Sequence, residues 1–388
     1  MFLDKVIERN PRLIECGFEL HRQGLILPDT YVMDLDAIEQ NARLMKKEAD
    51  RYGIELYFML KQIGRNPLIA RKLMEVGFKG AVVVDFKEAL CMIEHDIHIS
   101  NVGHLVQIPE AALKKIVSAR PDYVTVYSLD KIKEINEAAK QSGLIQKVLI
   151  RLSDDDSELY SGQEGGFDSS ELEQVIKAIN DLSNVEFGGL TVFPALLYSK
   201  EENAIVPTAN IKALQRGIKI VEECGLKDFN VNVPSATCCA SIPLIHELKG
   251  KSGEPGHGLT GTTPLHKYND EPEIPAYIYV SEISHRFRGN SFCYGGGHYR
   301  RGHMENVLIG DDLTNAIKAK VSAPSDESID YHYEISGEHE TGKCAIFSYR
   351  TQIFTTRSHV AIVEGLSKGE GRLSGIYSSL GEKIDRTW

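Results

Sequence analysis

Short apolar runs alternate with amphipathic stretches between about residue 30 and residue 265. Eight runs have the length and composition of buried parallel strands: Leu56–Leu60, Gly80–Val84, Ile97–Val102, Tyr123–Tyr127, Lys147–Leu152, Val185–Phe193, Phe229–Val233 and Gly253–Leu259. Stretches with helical spacing lie between them: Pro67–Val76, Pro109–Ala119, Leu129–Ser142, Ser170–Leu182 and Ala209–Cys224. This alternation predicts a (β/α)8 barrel, a TIM barrel. A doubly wound open sheet is the competing architecture, but no Gly-x-Gly-x-x-Gly string follows the first strand, so we favour the barrel.

The start of the barrel has its own signals. Tyr31–Met33 is an extended segment, and Asp36 is a plausible N-cap with Glu39 as its capping-box partner. Gly53 then ends the helix.

The pattern changes after Pro272. Short apolar runs are separated there by Gly, Asp and Ser: Tyr277–Val280, Asn306–Ile309, Lys318–Val321, Tyr331–Ile335, Cys344–Phe347 and His359–Val363. Such runs predict an all-β domain. We therefore expect an N-terminal segment, 1–36, that packs with the β-domain, a barrel at 37–271, and a C-terminal β-domain at 272–388.

Composition narrows the classes of partner. The 388 residues include 44 Lys and Arg against 55 Asp and Glu, a formal charge of −11, which argues against nucleic-acid and anionic membrane partners. Seven scattered cysteines without a Cys-x-x-Cys pair indicate neither a disulfide framework nor a zinc ribbon. Because no signal peptide and no apolar run of about 18 residues is visible, we expect a soluble cytoplasmic protein.

Lys61 stands at the C-terminal end of the first predicted strand. Active sites of barrel enzymes lie at that end, where partial desolvation makes a lysine amine nucleophilic. The alternative is an ordinary surface lysine just past a strand.

The string Tyr31–Ile38, a helix, and then Tyr57–Lys61 resembles the opening of fold-type III pyridoxal-phosphate enzymes. These include alanine racemases, eukaryotic-type ornithine decarboxylases and D-serine dehydratases. The resemblance covers most of the chain and is closest to an uncharacterised alanine-racemase-like subgroup called YhfX. It implies pyridoxal 5'-phosphate as cofactor, held by Lys61 as a Schiff base, an amino acid as substrate, and a homodimer.

Gly253–Leu259 contains a glycine-rich turn that could bring backbone N–H groups close to a phosphate. By the resemblance, Gly256 and His257 contribute amides to the cofactor phosphate, and Glu254 faces the pyridine nitrogen. Alanine racemases carry arginine at this position, whereas the decarboxylases carry glutamate. An ordinary Pro-Gly turn after a strand is the alternative.

Ser235 and Thr237 follow the seventh predicted strand. A hydroxyl at the start of the following helix can bind phosphate together with the helix N-terminus. Ser235 matches the family's phosphate-binding serine, and Thr237 is a weaker addition. Either residue alone is also typical of an ordinary N-cap.

Gly289–His298 contains three consecutive glycines beside Cys293, Tyr294 and His298, which can all transfer protons. Tyr294 matches the Ser-Tyr-Gly string of alanine racemases, where the tyrosine comes from the partner subunit as the second acid/base. Cys293 matches the Cys-Asp-Gly string of the decarboxylases, whose cysteine also comes from the partner. The motif alone does not choose between them, and a plain β-hairpin is the third interpretation.

Weaker signals complete the candidate site. His359 resembles a zinc ligand of D-serine dehydratases, but Ala361 replaces the second ligand, so we predict no metal. Four further roles remain open. Arg151 could lie near the cofactor ring oxygen or pair with Asp154 or Asp156. Phe193 could stack on the pyridine or belong to the core, and His104 could lie at the barrel mouth. Tyr349 and Arg350 could hold a substrate carboxylate from the partner subunit.

These motifs together predict a pyridoxal-phosphate-dependent amino acid racemase. Lys61 and Tyr294, on opposite faces, would remove and return the Cα proton of the substrate's external aldimine. The alternative is a decarboxylase of the ornithine or diaminopimelate type, in which Glu254 strengthens the electron sink and Cys293 governs reprotonation. A pyridoxal-phosphate carrier without catalytic activity is disfavoured by the residues after Pro272, and a metal hydrolase by the lack of clustered His and carboxylate ligands at strand ends.

Overall fold

The computed structural model describes residues 2–385, which divide into two compact units. The barrel unit comprises Met45–Leu60 and Ala70–Gly256. The β-unit comprises the residues up to Leu44, Lys61–Ile69, and the residues from His257 onward. The division into 1–36, 37–271 and 272–388 stays a prediction.

The barrel unit is built on one parallel sheet. Its strands, in the order in which they pair, are Glu55–Leu56, Ser252–Gly253, Asn230–Asn232, Val185–Thr191, Gln146–Arg151, Tyr123–Val126, Ile99–Val102, Ala81–Val83 and Phe58–Met59. The first and last of these flank Tyr57, so they are two parts of one strand. The Tyr57 N–H donates to Gly253 O at 3.0 Å on one side, and the Phe58 N–H donates to Gly80 O at 3.0 Å on the other. The sheet thus returns to its own first strand, and the predicted barrel is confirmed.

Helices follow most of these strands. The α-helices of the described chain are Phe2–Arg9, Pro11–Arg22, Leu35–Tyr52, Pro67–Val76, Phe86–Glu94, Glu110–Ser118, Leu129–Gln141, Leu172–Asn180, Ile211–Glu223, Ile242–Glu247 and Pro264–Tyr268. Local signals explain several starts: the Asp85 carboxylate accepts the Glu88 N–H, and the Ser128 hydroxyl accepts the Lys131 N–H. Within the described part of the chain, no helix is long and apolar enough to cross a membrane.

The predicted N-cap at Asp36 is wrong. The helix begins at Leu35, and the Asp34 carboxylate accepts the Ala37 N–H at 3.1 Å. Asp36 instead accepts the N–H groups of Gly365 at 3.1 Å and Ser367 at 3.0 Å, a contact between distant parts of the chain that local spacing does not reveal. Gly53, with φ +65°, does end the helix as predicted.

The β-unit contains a nine-stranded sheet that confirms the predicted C-terminal β-domain. Its strands in pairing order are Asn290–Tyr294, His332–Ser336, Ile317–Ser322, Asn306–Gly310, Cys344–Phe347, Tyr277–Phe287, Thr30–Asp34, His359–Glu364 and Arg372–Ser378. Asn290–Tyr294 also pairs with Tyr277–Phe287, so six of these strands form a closed cycle. The N-terminal strand Thr30–Asp34 runs parallel to His359–Glu364 and antiparallel to Tyr277–Phe287.

Two N-terminal helices, which the sequence pattern did not identify, cover one face of this sheet. Leu13, Ile14 and Phe18 belong to the same buried cluster as Ile278 and Ile346. Packing of this apolar face stabilises helices that are too short to form alone.

Candidate active site

The barrel unit holds a buried carboxylate at the carboxyl ends of its strands. Glu254 follows the strand Ser252–Gly253 and is 3% exposed. The Asn232 amide nitrogen donates to Glu254 Oε1 at 2.6 Å, and the Asn101 amide nitrogen donates to the same oxygen at 3.3 Å. Two N–H donors on one oxygen favour the charged carboxylate over the neutral acid. Glu254 can therefore accept a hydrogen bond from a further donor.

His104 lies on the other side of this carboxylate. Its Nε2 is 3.7 Å from Glu254 Oε2, and both side chains are fully buried. The edge of the His104 ring meets the face of Phe193, with centroids 5.1 Å apart and planes at 88°. His104 and Phe193 therefore belong to the same cluster as Glu254, and the stacking role of Phe193 stays a prediction.

Arg151 ends the strand Gln146–Arg151 and is fully buried. Its Nη1 donates to the Tyr127 hydroxyl at 2.8 Å and its Nη2 to Gln163 O at 2.8 Å. Its Nε is buried with no hydrogen-bond partner among the residues described. Since a buried guanidinium N–H without an acceptor is costly, this donor is suited to an acceptor brought by a ligand.

The alternative pairing of Arg151 with Asp154 or Asp156 is wrong. Both carboxylates bind Arg216 instead, whose Nε lies 2.8 Å from Asp154 Oδ2 and whose Nη2 lies 2.9 Å from Asp156 Oδ1. The helix that carries Arg216 follows about sixty residues later, which spacing along the chain does not indicate.

Ser235 and Thr237 lie in a turn between strand Asn230–Asn232 and helix Ile242–Glu247. The expectation that they start that helix is wrong, because it begins five residues after Thr237. The Ser235 hydroxyl accepts the N–H groups of Ala195 and Leu196, each at 3.1 Å. The Thr237 hydroxyl accepts the Glu254 N–H at 3.1 Å and so fixes the backbone that carries the carboxylate. Their phosphate-binding roles stay predictions.

Gly256 is the last residue of the barrel unit, and His257 begins the next segment of the β-unit. Within the β-unit His257 is buried, and its Nδ1 lies 3.4 Å from the Thr262 hydroxyl. Burial, and then the positive charges of Arg350 and Lys61, hold the pKa of His257 well below its ordinary value. His257 is therefore neutral at physiological pH and can accept a hydrogen bond.

Lys61 begins a short 3₁₀ turn, Lys61–Ile63, two residues after the strand Phe58–Met59 ends. Its position in the chain is thus the strand end that the sequence predicted. Lys61 is half-buried, and its charge acts on His257 in the same unit, as does that of Arg350. Lys61 and Arg350 thus bring positive charge close to a neutral His257.

Cys293 and Tyr294 are neighbours on strand Asn290–Tyr294, but their exposure differs completely. Cys293 is 0% exposed, and burial raises the pKa of its thiol to about 12. Tyr294 is 42% exposed. Successive residues of a strand point to opposite faces, so the cysteine faces the interior of the unit and the tyrosine faces outward.

The three glycines after Tyr294 pass between two aspartates of the β-unit. The Gly296 N–H donates to Asp330 Oδ2 at 3.2 Å, and a Cβ at Gly296 would lie 2.0 Å from Asp29 Oδ2. The His298 N–H also donates to Asp330, at 2.9 Å. A Cβ at Gly295 would likewise meet the Asp330 backbone, and one at Gly297 the Tyr279 ring, so close approach explains each glycine of the run. No local pattern in the sequence marks these partners.

Tyr349 lies in the interior of its own unit, and the expected role toward a partner subunit stays a prediction. Its side chain is fully buried, and its hydroxyl donates to Gly297 O at 3.0 Å and lies 3.1 Å from the Tyr31 hydroxyl. Arg350 follows it in the chain and acts on His257 of its own unit. His359 is half-buried at the start of strand His359–Glu364, where burial lowers the pKa of its imidazole.

Neither of the two amides that hold Glu254 was among the residues predicted from the sequence. Asn101 lies within Ile99–Val102, and Asn232 ends Asn230–Asn232. Each interrupts a run of apolar residues in a buried strand, which is the signal that could have identified them.

Two family models match the chain. The model for the N-terminal domain of alanine racemase matches residues 33–264, and the model for the YhfX-like C-terminal domain matches residues 278–373. The chain is 41% identical over 385 residues to the uncharacterized protein YhfX of Escherichia coli (strain K12), across 99% of this chain and 100% of that protein.

Two further proteins are more distantly similar. An ornithine racemase of Acetoanaerobium sticklandii is 25% identical over 237 residues, which cover 59% of each protein. The crystal structure of D-threonine aldolase from Filomicrobium marinum has a TM-score of 0.70 at 17% identity, over 91% of this chain and 94% of that one. At that identity the match shows a shared fold.

Proposed function

This chain belongs to the family of the alanine racemase N-terminal domain, whose members are pyridoxal-phosphate enzymes, and on that premise we propose that it racemises an amino acid. The family predicted from the motifs is thereby confirmed. Membership in the family establishes the cofactor and the fold, whereas the type of reaction depends on this chain's own residues.

The residues present fit the cofactor. Lys61 offers an amine for the aldehyde, and Glu254 offers a carboxylate, already held by two amides, for the pyridine nitrogen. The buried Arg151 Nε offers a donor for the ring oxygen. Backbone and hydroxyl donors for the phosphate would come from Ser235, Thr237, Gly256 and His257. When bound, the cofactor supplies an electron-withdrawing ring that stabilises negative charge at the substrate Cα.

The exposure of Tyr294 is the observation that favours racemisation over decarboxylation. A racemase needs one proton-transferring group on each face of Cα. We assign Lys61 Nζ to one face and Tyr294 Oη to the other, with each removing or returning the Cα proton. Tyr294 is 42% exposed, so it is available to a neighbouring subunit, whereas Cys293 is enclosed in its own unit.

Decarboxylation is the second candidate, and Glu254 favours it. A carboxylate at the pyridine nitrogen, in place of the arginine of alanine racemases, makes a stronger electron sink. The environment of Cys293, the cysteine that would reprotonate the product, argues against decarboxylation. Cys293 is fully buried, and burial raises its pKa to about 12, so the thiol is a poor proton donor for a substrate held by another subunit.

We also propose that the enzyme acts as a homodimer in the cytoplasm, without nucleic-acid or membrane partners. The outward-facing Tyr294 supports a role in the site of a second copy. None of the seven cysteines in the described chain forms a disulfide, as is usual in a reducing compartment.

Isotope exchange tests the reaction type. The holoenzyme is incubated with each amino acid in deuterated water, and substrate and product are followed by mass spectrometry and chiral chromatography. Racemisation predicts deuterium at Cα and both enantiomers from either one. An amine lacking the carboxylate carbon, with no enantiomer formed, would establish the decarboxylase instead.

A further inference from the structure

The interior of the barrel unit is polar where such barrels are usually filled by branched aliphatic side chains. The buried polar residues on its strands include Asn101, Thr125, Thr191, Asn230, Asn232 and Ser252. A buried amide without hydrogen-bond partners destabilises a protein, so we expect these buried side chains to form hydrogen bonds with one another. The hydrogen bonds show how they are satisfied and what they support.

Both amides that reach Glu254 are oriented by a hydroxyl behind them. The Ser252 hydroxyl donates to Asn232 Oδ1 at 2.9 Å. The Thr125 hydroxyl donates to Asn101 Oδ1 at 2.8 Å. An amide whose oxygen accepts on one side presents its nitrogen on the other. Each hydroxyl therefore fixes an N–H donor toward the carboxylate.

The Ser252 hydroxyl has one hydrogen and two amide oxygens within reach. It lies 3.1 Å from Asn230 Oδ1, and the Asn230 amide nitrogen donates to the Tyr57 hydroxyl at 3.4 Å. Tyr57 in turn donates to Glu55 at 3.0 Å, at the start of the first strand. The single Ser252 hydrogen is therefore shared between Asn232 Oδ1, the shorter contact, and Asn230 Oδ1.

We propose that Ser252 and Thr125 are positioning residues that set the preference of the site for a protonated ring nitrogen in the cofactor. They act through Asn232 and Asn101, which keep Glu254 a carboxylate and therefore a hydrogen-bond acceptor. This inference rests on the proposed function, because Glu254 is there assigned to the pyridine nitrogen. Without the two hydroxyls the amides can turn their oxygens toward Glu254, which favours the neutral acid.

Binding selectivity tests this role. The full-length chain is stripped of cofactor with hydroxylamine and titrated with pyridoxal phosphate and with its deaza analogue, in which C–H replaces the ring nitrogen. We expect the wild type to bind pyridoxal phosphate roughly ten- to a hundredfold more tightly than the analogue. Ser252→Ala and Thr125→Val should each lower that ratio by roughly three- to tenfold, through weaker binding of pyridoxal phosphate alone.

Conservative variants and a matched control separate positioning from packing. Ser252→Thr and Thr125→Ser keep a hydroxyl and should keep the ratio. Ser100→Ala removes a fully buried serine next to Asn101 on the same strand, on the opposite face, and should also keep it. Ser252 and Thr125 are on different strands, so one variant still tests the proposal if the other does not fold.

The outcomes distinguish this inference from the proposed function. Equal weakening of both ligands in Ser252→Ala and Thr125→Val would mean a structural role and overturn the inference. A wild type that binds both ligands equally would overturn it as well, while the pyridoxal-phosphate enzyme would stand. A wild type that binds neither would overturn the proposed function together with the inference.

Discussion

The carboxylate of Asp29 occupies the space that a side chain at Gly296 would need. A Cβ at Gly296 would lie 2.0 Å from Asp29 Oδ2, and Gly296 has a φ of +136°. The Asp29 carboxylate accepts hydrogen bonds from the hydroxyls of Tyr279, at 2.9 Å, and Ser358. Asp29 therefore cannot move aside easily, and the segment that follows Tyr294 is held against it.

Gly296→Ala should destabilise the protein through this contact. We expect the free energy of unfolding to fall by about 2–4 kcal/mol, from the clash and from the positive φ. The control is Gly289→Ala, at φ +81° with nothing within 4 Å of the added Cβ, which should cost only about 1 kcal/mol. Urea denaturation measures both, and equal costs would show that the clash with Asp29 is relieved.

Stability should depend on pH through Asp29. Burial raises the pKa of its carboxyl to about 7, against an ordinary value of 3.8, although the hydroxyls of Ser358 and Tyr279 and the charge of Arg357 oppose the shift and Asp330 adds to it. The unfolded chain therefore loses its proton at lower pH than the folded protein. This stabilising contribution is complete below about pH 4, declines as pH rises, and is lost above about pH 7.

Asp29→Asn should remove that dependence. Relative to the variant, the wild type should lose on the order of 2 kcal/mol of unfolding free energy between pH 4 and pH 8. Asp36→Asn is the control, because hydrogen bonds from Ser367 and Gly365 outweigh burial and lower the pKa of Asp36, so its effect falls at acidic pH. Denaturation curves measured from pH 4 to pH 8 give the unfolding free energy of each protein. The same pH dependence of this free energy in wild type and Asp29→Asn would contradict the prediction.

Tyr294→Phe and Cys293→Ala should separate catalysis from stability. Loss of the exposed phenol should lower the racemisation rate by about 10²–10⁴-fold and leave the unfolding free energy within about 0.5 kcal/mol. Loss of the buried thiol should cost about 1–2 kcal/mol of stability and change turnover little. The reverse pattern in rates would support the decarboxylase-type assignment of Cys293.

Arg151→Met should destabilise the barrel unit by about 3 kcal/mol or more. It removes the donors to the Tyr127 hydroxyl and Gln163 O, which are part-buried acceptors. Arg216→Met is the matched control, since the Arg216 side chain is 46% exposed where it pairs with Asp154 and Asp156 and its loss should cost less than the loss of Arg151. Thermal unfolding of the two variants compares them directly, and similar costs would argue against a structural role for Arg151.

Much of the fold could be predicted because burial of parallel strands leaves continuous apolar runs. Seven predicted barrel strands coincide with observed ones, and Pro67–Val76 is a helix at the predicted bounds. The eighth prediction, Gly253–Leu259, is wrong beyond Gly253, because the observed strand is Ser252–Gly253 and a turn follows. The N-terminal helices were not predicted because they pack against strands some 260 residues later, such as Tyr277–Phe287. Local periodicity does not identify so distant a partner.

The residue types of the candidate site can be read from the sequence, but their hydrogen bonds cannot. The motif at residues 293–294 matched two alignments equally, and only the burial of Cys293 against the exposure of Tyr294 separates them. Pairing of Arg151 with Asp154 was one of the open alternatives, yet Asp154 binds Arg216. Such pairings depend on which strand ends meet, a property of the closed sheet rather than of any short segment.

Reduction of the holoenzyme with borohydride tests the central claim most directly. The account predicts a yellow protein whose visible band is bleached by borohydride, with a phosphopyridoxyl group found by peptide mass spectrometry on Lys61 and absent from Lys61→Ala. A colourless protein that takes up no added pyridoxal phosphate, or a label on another lysine with Lys61 unmodified, would contradict it.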